Sequence, residues 1–206
     1  YCNRNIIRLI DIGSDSTLQS GDLDHVIPKT KYPIFCVSFY NLIPACKVCN
    51  FLKKEEEGIP SPYDSKIKLS ERFRFGIEVV SPRFPSQTCS FEITYNTDLE
   101  IAQDEIELSK VKQYWKVFKI KEQYKHHKDV AQEIIQKQFI FNESYRSELM
   151  KRYGGTLFRS EGDLYRALFG RYENEQDMHR RPLSRFIRDI QDHLEGKPAG
   201  LKKIDD

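Results

Sequence analysis

No apolar run in the chain approaches the roughly 18 residues that a membrane-crossing helix needs, so no segment reads as a span. Net charge is nearly absent as well: 33 Lys and Arg against 31 Asp and Glu leave +2. That balance excludes a broadly basic surface, and any basic patch has to be local. An even cysteine count, the mark of a disulfide framework, is also missing. Five cysteines are present, two of them as Cys46-x-x-Cys49, which points to metal binding in a reducing, cytoplasmic setting. The chain opens on Tyr1 and not on Met. We therefore expect a fragment, for which a missing leader says nothing about targeting.

What is present suffices for a folded core. The 206 residues are 39% hydrophobic and 31% charged, the proportions of a globular chain with one domain or two small ones. The informative stretch is Asp24 to Asn50, DHVIPKTKYPIFCVSFYNLIPACKVCN. Leu23 to Ile27 reads as a short strand ended by Pro28. Lys29 to Pro33 is a turn-rich basic loop, and the aromatic and β-branched run from Ile34 to Leu42 reads as a second strand or extended segment leading to Asn41. Ala45 to Glu57 lacks breakers and predicts a helix. Upstream, Ile6 to Ile10 predicts a short strand and the Ser-rich Gly13 to Gly21 a surface loop.

A structural zinc site wants four tetrahedral ligands, usually as two close pairs. Cys46 and Cys49 make one pair. Cys2 reads as half of another, whose first cysteine would lie upstream of Tyr1; the competing reading is an ordinary buried thiol. Cys36 and Cys89 are the other candidates, and Cys36, flanked by Ile34, Phe35 and Val37, reads as core.

Asp24-His25, then Asn41, then Cys46-x-x-Cys49-Asn50 in this order resembles the ββα-metal fold of HNH endonucleases. YCNRN at the start and DLDHVIPKTKYP with SFYNLIPACKVCN resemble a bacterial HNH subfamily found in phage-defence and restriction-like operons, whose members often sit beside an ATPase. The resemblance implies an α+β fold: a ββα-metal core over 1–60 with a zinc knuckle, a β-hairpin extension over 61–104, and a helical C-terminal region over 105–206. It implies a DNA endonuclease, with His25 as general base and Asn41 or a backbone carbonyl orienting its imidazole. Asp24 and Asn50 would hold a catalytic Mg2+ or Mn2+, and Cys2, Cys46 and Cys49 a structural Zn2+. Many family members carry histidine where this chain has Asn50, and fewer nitrogen ligands favour Mg2+. An imidazole titrates near neutral pH, as a general base must, and a carboxylate suits a hard cation.

Lys29, Lys31, Lys47, Lys53 and Lys54 surround the motif in sequence and suit a phosphate backbone. The bland reading is a set of solvated charges, bounded by Glu55 to Glu57. The competing function is a zinc-stapled DNA- or protein-binding adaptor that does not cut. A secreted bacteriocin-type nuclease fits less well, because about 150 residues follow the motif. One active site per monomer means that double-strand cutting requires a dimer or two nicks.

The remainder carries no catalytic signature. GIPSP over 58–62 breaks the chain. Phe73, Phe75, Ile77 and Val79 alternate as in a strand, and Phe91 to Tyr95 reads as its antiparallel partner across a Pro-rich loop at 81–88, a hairpin expected to cover the nuclease core. From about Glu105 the pattern turns helical. His126 and His127 read as ordinary helix positions. A helix is expected over Ser144–Tyr153, another beginning near Ser160, and a last one beginning near Pro182. Arg180, Arg181, Arg185 and Arg188 make the densest basic patch outside the motif, open to DNA contact, partner docking or plain solvation. The tail from Gly196 is expected to fray.

Overall fold

A computed structural model describes residues 1–64, 67, 69, 73–81, 90–97, 105–196 and 202–203. The fold is mixed α+β with small antiparallel sheets. The chain divides into two compact units, Tyr1–Arg72 with Leu99–Gln123, and Phe73–Asp98 with Tyr124–Asp206.

The first unit opens with a hairpin, β1 (Leu9–Gly13) and β2 (Ser16–Gln19). The loop expected over 13–21 thus holds a strand, and the strand expected over 6–10 begins later. Ser14 and Asp15 both adopt left-handed φ, 53° and 55°, the twist that a two-residue hairpin turn requires. The polar composition of the segment conceals that pairing.

β3 (Asp22–His25) pairs antiparallel with β4 (Leu42–Ala45), Asp24 opposite Ile43 and His25 opposite Leu42. Helix α1 (Lys47–Lys53) follows. The order is strand, loop, strand, helix. Residues 34–41 do not form the expected extended strand; two 3-10 turns, Pro33–Phe35 and Phe39–Asn41, occupy most of the segment. β3 is only four residues long, and Pro28 just beyond it has no N–H for a ladder. The aromatic run has nothing to pair with, and Phe39 and Tyr40 stay 83% and 93% exposed.

The helix expected over 45–57 is shorter at both ends. Cys46 is its N-cap, with Sγ accepting from the Cys49 N–H at 3.5 Å. Lys54 turns left-handed at φ 48°, just before Glu55 to Glu57, whose charges oppose the negative end of a helix. α2 (Glu105–Phe118) packs on α1, and α3 (Ile120–Tyr124) follows. Tyr1 is fastened to α2: its ring stacks on Phe118 at 4.4 Å and its carbonyl accepts from the Tyr114 hydroxyl at 2.7 Å.

The second unit contains the hairpin that the alternation predicts, β5 (Phe73–Val79) with β6 (Phe91–Thr97), Phe75 opposite Tyr95 and Ile77 opposite Ile93. Lys202 and Lys203 add a two-residue strand beside Thr97 and Asn96. The helices are α4 (Lys128–Ile140), α5 (Glu143–Tyr153), α6 (Glu161–Phe169) and α7 (Ser184–Leu194). His126 and His127 lie in a 3-10 turn, Lys125–His127. α7 packs on β5 and α4. Its apolar face brings Phe186 against Phe75 and Tyr124, all three ring pairs lying within 4.4–5.2 Å. Complete burial of rings of this size stabilises by roughly 1.5–3 kcal/mol each. Ser160 caps α6 as the sequence suggests, accepting from the Asp163 N–H. α7 begins two residues after Pro182, behind a left-handed Leu183 at φ 59°. Cys89, the Pro-rich connection over 82–88 and most of the tail beyond 196 lie outside the described residues.

Candidate metal centre and active site

Cys2, Cys46 and Cys49 come together although 44 residues separate the first two. Their sulfurs lie within 4.8 Å of one another, with Cys2 Sγ 4.0 Å from Cys46 Sγ. Zinc–sulfur bonds of about 2.3 Å in a tetrahedron place sulfurs about 3.8 Å apart, so the spacing fits. None of the three is in a disulfide. Backbone N–H groups support them: Arg4 N–H donates to Cys2 Sγ and Cys49 N–H to Cys46 Sγ, both at 3.5 Å. Hydrogen bonds from the Cys2 and Cys49 thiols hold Cys46 far below the ordinary thiol range. Hydrogen bonding with Cys2 and Cys46, and then burial, push Cys49 up. Such a cluster can hold a metal ion such as zinc. Cys36 lies apart, in the 26–41 loop, and is half-buried.

The acid–histidine pair divides between two sets of partners. Asp24 is buried. Its Oδ2 accepts a hydrogen bond from the Tyr1 hydroxyl and lies 3.5 Å from Lys53 Nζ. Burial, then Asp24 itself, pushes the Tyr1 hydroxyl well above the ordinary tyrosine value, so it remains a donor. His25 is half-buried, and its Nε2 stands 2.9 Å from the Cys36 carbonyl oxygen.

Asn41 works on the loop and does not touch the imidazole ring in any hydrogen bond. Its Oδ1 accepts from the Ile27 N–H at 2.7 Å, while Nδ2 donates to the carbonyls of Ile27 and Phe35 at 3.1 and 3.0 Å. It closes the two ends of the 26–41 loop, one residue before the carbonyl that meets His25. Of the two orienting groups expected, the carbonyl makes the contact and the asparagine holds the carbonyl's loop in place.

Asn50 donates through Nδ2 to Asp22 Oδ2 at 3.1 Å. Asp22 and Asp24 share one face of β3 by strand alternation, and Asn50 and Lys53 share one face of α1 by helical spacing. Asn50 thus meets Asp22, and Lys53 meets Asp24, across the β3–α1 contact. Lys53 is the exception among the five lysines. It is fully buried, its ammonium donating to the His25 carbonyl at 2.7 Å, so it is corrected from a phosphate-facing residue to an interior one. Its helix spacing from Asn50 turns it inward onto β3. Lys29, Lys47 and Lys54 are exposed. Lys31 is exposed and paired with Glu57 at 3.0 Å, and Lys54 lies over the Phe51 ring.

Sequence reasoning missed Asp22, Tyr1 and the inward turn of Lys53. The first and last were available from periodicity alone, two residues before Asp24 on a strand and three after Asn50 on a helix. Tyr1 carried no signal, because its partners lie more than twenty residues away. The chain matches no protein-family model, no curated protein and no solved structure.

Proposed function

We propose that the chain is a metal-dependent endonuclease of the HNH type, acting on DNA. The observation that carries the reading is the imidazole of His25 held by the Cys36 carbonyl at 2.9 Å, inside a loop that Asn41 closes. A carbonyl at one ring nitrogen accepts its proton and leaves the other nitrogen as a lone-pair base. That nitrogen would take a proton from the attacking water. Asp24 and Asn50, with Asp22 beside them, would hold a Mg2+- or Mn2+-class ion, which supplies charge neutralisation at the scissile phosphate. Lys29, Lys47 and Lys54 would meet the nucleic-acid backbone. The cysteine cluster pins the N-terminus of the chain to the start of α1, which carries Asn50.

The resemblance extends this to an effector of bacterial anti-phage defence with an ATPase partner docking on the C-terminal helices. That extension is analogy at the level of the family. A zinc-stapled adaptor is the second reading. It draws support from the engagement of Asp24 by the Tyr1 hydroxyl and the Lys53 ammonium, an arrangement that also suits a purely structural carboxylate.

Plasmid cleavage with Mg2+ or Mn2+, comparing the chain with His25→Ala, tests the proposal. Cutting that disappears in the variant, while its metal content and circular dichroism stay unchanged, supports the nuclease. Cutting that survives without His25, or no cutting with or without the ATPase, leaves the adaptor.

A further inference from the structure

The arginine-rich C-terminal segment splits in the structure. Arg185 and Arg188 turn onto the buried Asp189, at 3.6 and 3.2 Å. Arg180 and Arg181 do not. They gather with Arg166 around the ring of Tyr172, their guanidinium carbons 5.3, 5.8 and 5.5 Å from its centroid. An aromatic face attracts cations and lets like charges collect.

Beside this cluster lies a hollow of about 440 Å3 whose polar lining is Thr156, Arg159, Asp163, Arg166 and Arg181. Three guanidiniums face one carboxylate, and that carboxylate is already occupied. Asp163 Oδ1 accepts from Arg166 Nη2 at 2.5 Å, and Oδ2 from the backbone N–H of Arg159 at 3.0 Å. Arg159 and Arg181 make no ion pair among the described residues. The adjoining hollow lacks this excess, because Glu161, Glu173 and Asp177 accompany Arg166 and Arg180 there.

The wall is fixed before any ligand arrives. Gly155 at φ 79° allows its N–H to reach the Phe158 carbonyl at 2.8 Å, and the N–H groups of Thr156 and Leu157 both reach the Tyr153 carbonyl. The Ser160 cap then holds Asp163, which holds Arg159 and Arg166.

We propose that this hollow binds a phosphate-bearing ligand, with Arg159, Arg166 and Arg181 gripping the phosphate oxygens. Planar guanidinium forks match phosphate geometry and keep their charge at any working pH. The volume exceeds what one phosphate fills and lies in the range of small-molecule sites. The phosphates could belong to a free nucleotide or oligophosphate, or to a nucleic-acid backbone. The site uses no residue of the His25 motif.

The test is calorimetric titration of the full chain with inorganic pyrophosphate, together with anisotropy of a labelled DNA oligonucleotide. The variant is Arg159→Ala with Arg181→Ala; both side chains are exposed. Lys151→Ala with Arg152→Ala removes the same charge from α5 and serves as control. The expected result is pyrophosphate binding that weakens by about tenfold or more in the arginine variant and stays unchanged in the control. Oligonucleotide binding that falls in parallel and is competed by pyrophosphate identifies the backbone as the source. Oligonucleotide binding that ignores the variant identifies a free phosphorylated ligand. Absence of binding to both probes, equal binding by the variant and the wild type, or an equal loss in the control overturns the proposal.

Discussion

Lys53 Nζ lies 3.5 Å from Asp24 Oδ2, and neither side chain reaches solvent. The ammonium also donates to the His25 carbonyl at 2.7 Å, so one buried cation joins α1 to both residues of the acid–histidine pair. Removing one partner of a buried pair strands the other charge, which costs about 3–5 kcal/mol. Lys53→Met is therefore expected to destabilise the chain by that amount in urea unfolding. A loss below about 1 kcal/mol, the surface-pair level, would mean that Lys53 is solvated and free to meet phosphate.

Asp24 has a second neighbour, and that contact gives a pH prediction. The folded Tyr1 hydroxyl is raised above its unfolded value, first by burial and then by Asp24. A raised folded value means that the native state keeps its proton while the unfolded chain loses it. The contribution is present in full below the unfolded value near 10 and declines as pH rises past it. Stability should accordingly fall from about pH 10 upward, and Tyr1→Phe should flatten the decline. Parallel curves for the two proteins would place the Tyr1 hydroxyl in solvent.

The outline of the site was legible in the sequence; its wiring was not. Asp24-His25, Asn41 and the cysteine pair stand out by residue type and order, and β5 with β6 follows from strict alternation of Phe73, Phe75, Ile77 and Val79. The failures have a common physical origin. Ile34 to Tyr40 has the composition of a strand, yet strandedness is a property of a pair and β3 is too short to supply the partner. Ser14 and Asp15 look like loop residues because turn chemistry and loop chemistry share a vocabulary. The inward turn of Lys53 defies the usual exposure of lysine and becomes readable only when its helix spacing from Asn50 is weighed against that habit. Arg185 and Arg188 belonged to a basic patch by sequence and to a buried carboxylate by structure.

That carboxylate supports a prediction for the second unit. Asp189 is buried beneath Arg185 and Arg188 and accepts from the Phe75 N–H at 3.3 Å. Burial raises its carboxyl above the ordinary range, and the two arginines oppose the shift. Asp189→Ala takes the acceptor from the Phe75 N–H and from Arg188, and one of the acceptors of Arg185, which also donates to the Phe73 carbonyl. The expected loss is about 3–5 kcal/mol in the unfolding of this unit, with metal content unchanged. A loss under about 1 kcal/mol would show that the arginines turn outward and that the C-terminal basic patch is a surface after all.

Asn41 separates loop architecture from chemistry. Its three hydrogen bonds tie Ile27 to Phe35. Asn41→Ala removes them; the Phe35 carbonyl keeps the Ser38 N–H, while the part-buried Ile27 N–H and carbonyl lose their side-chain partner, at a cost of about 1–3 kcal/mol each at most. Cleavage, if His25 is the base, should fall with the loss of the Cys36 carbonyl that orients it. Asn41→Asp keeps the acceptor to the Ile27 N–H but sets a buried carboxylate oxygen against the carbonyls of Ile27 and Phe35, so it should cost at least as much as Asn41→Ala. An Asn41→Ala protein that cuts at the wild-type rate would separate the loop from the base.

The cysteine cluster is testable by metal removal. Three buried sulfurs within 4.8 Å hold the N-terminal segment against the start of α1, and ligand thiolates must shed their protons to bind. The purified chain should carry close to one equivalent of zinc by elemental analysis. Cys46→Ser should release it, because Cys46 Sγ lies within 4.8 Å of both other sulfurs and its loss leaves two ligands. Chelation should lower the unfolding midpoint of the first unit, and acidification should release metal as protons compete for sulfur. Unit-stoichiometry zinc that survives Cys46→Ser would place the ion elsewhere. A metal-free chain with an unchanged midpoint would make these three residues simple thiols, and the N-terminus would then be held without a metal, with Tyr1 fastened through Phe118, Tyr114 and Asp24.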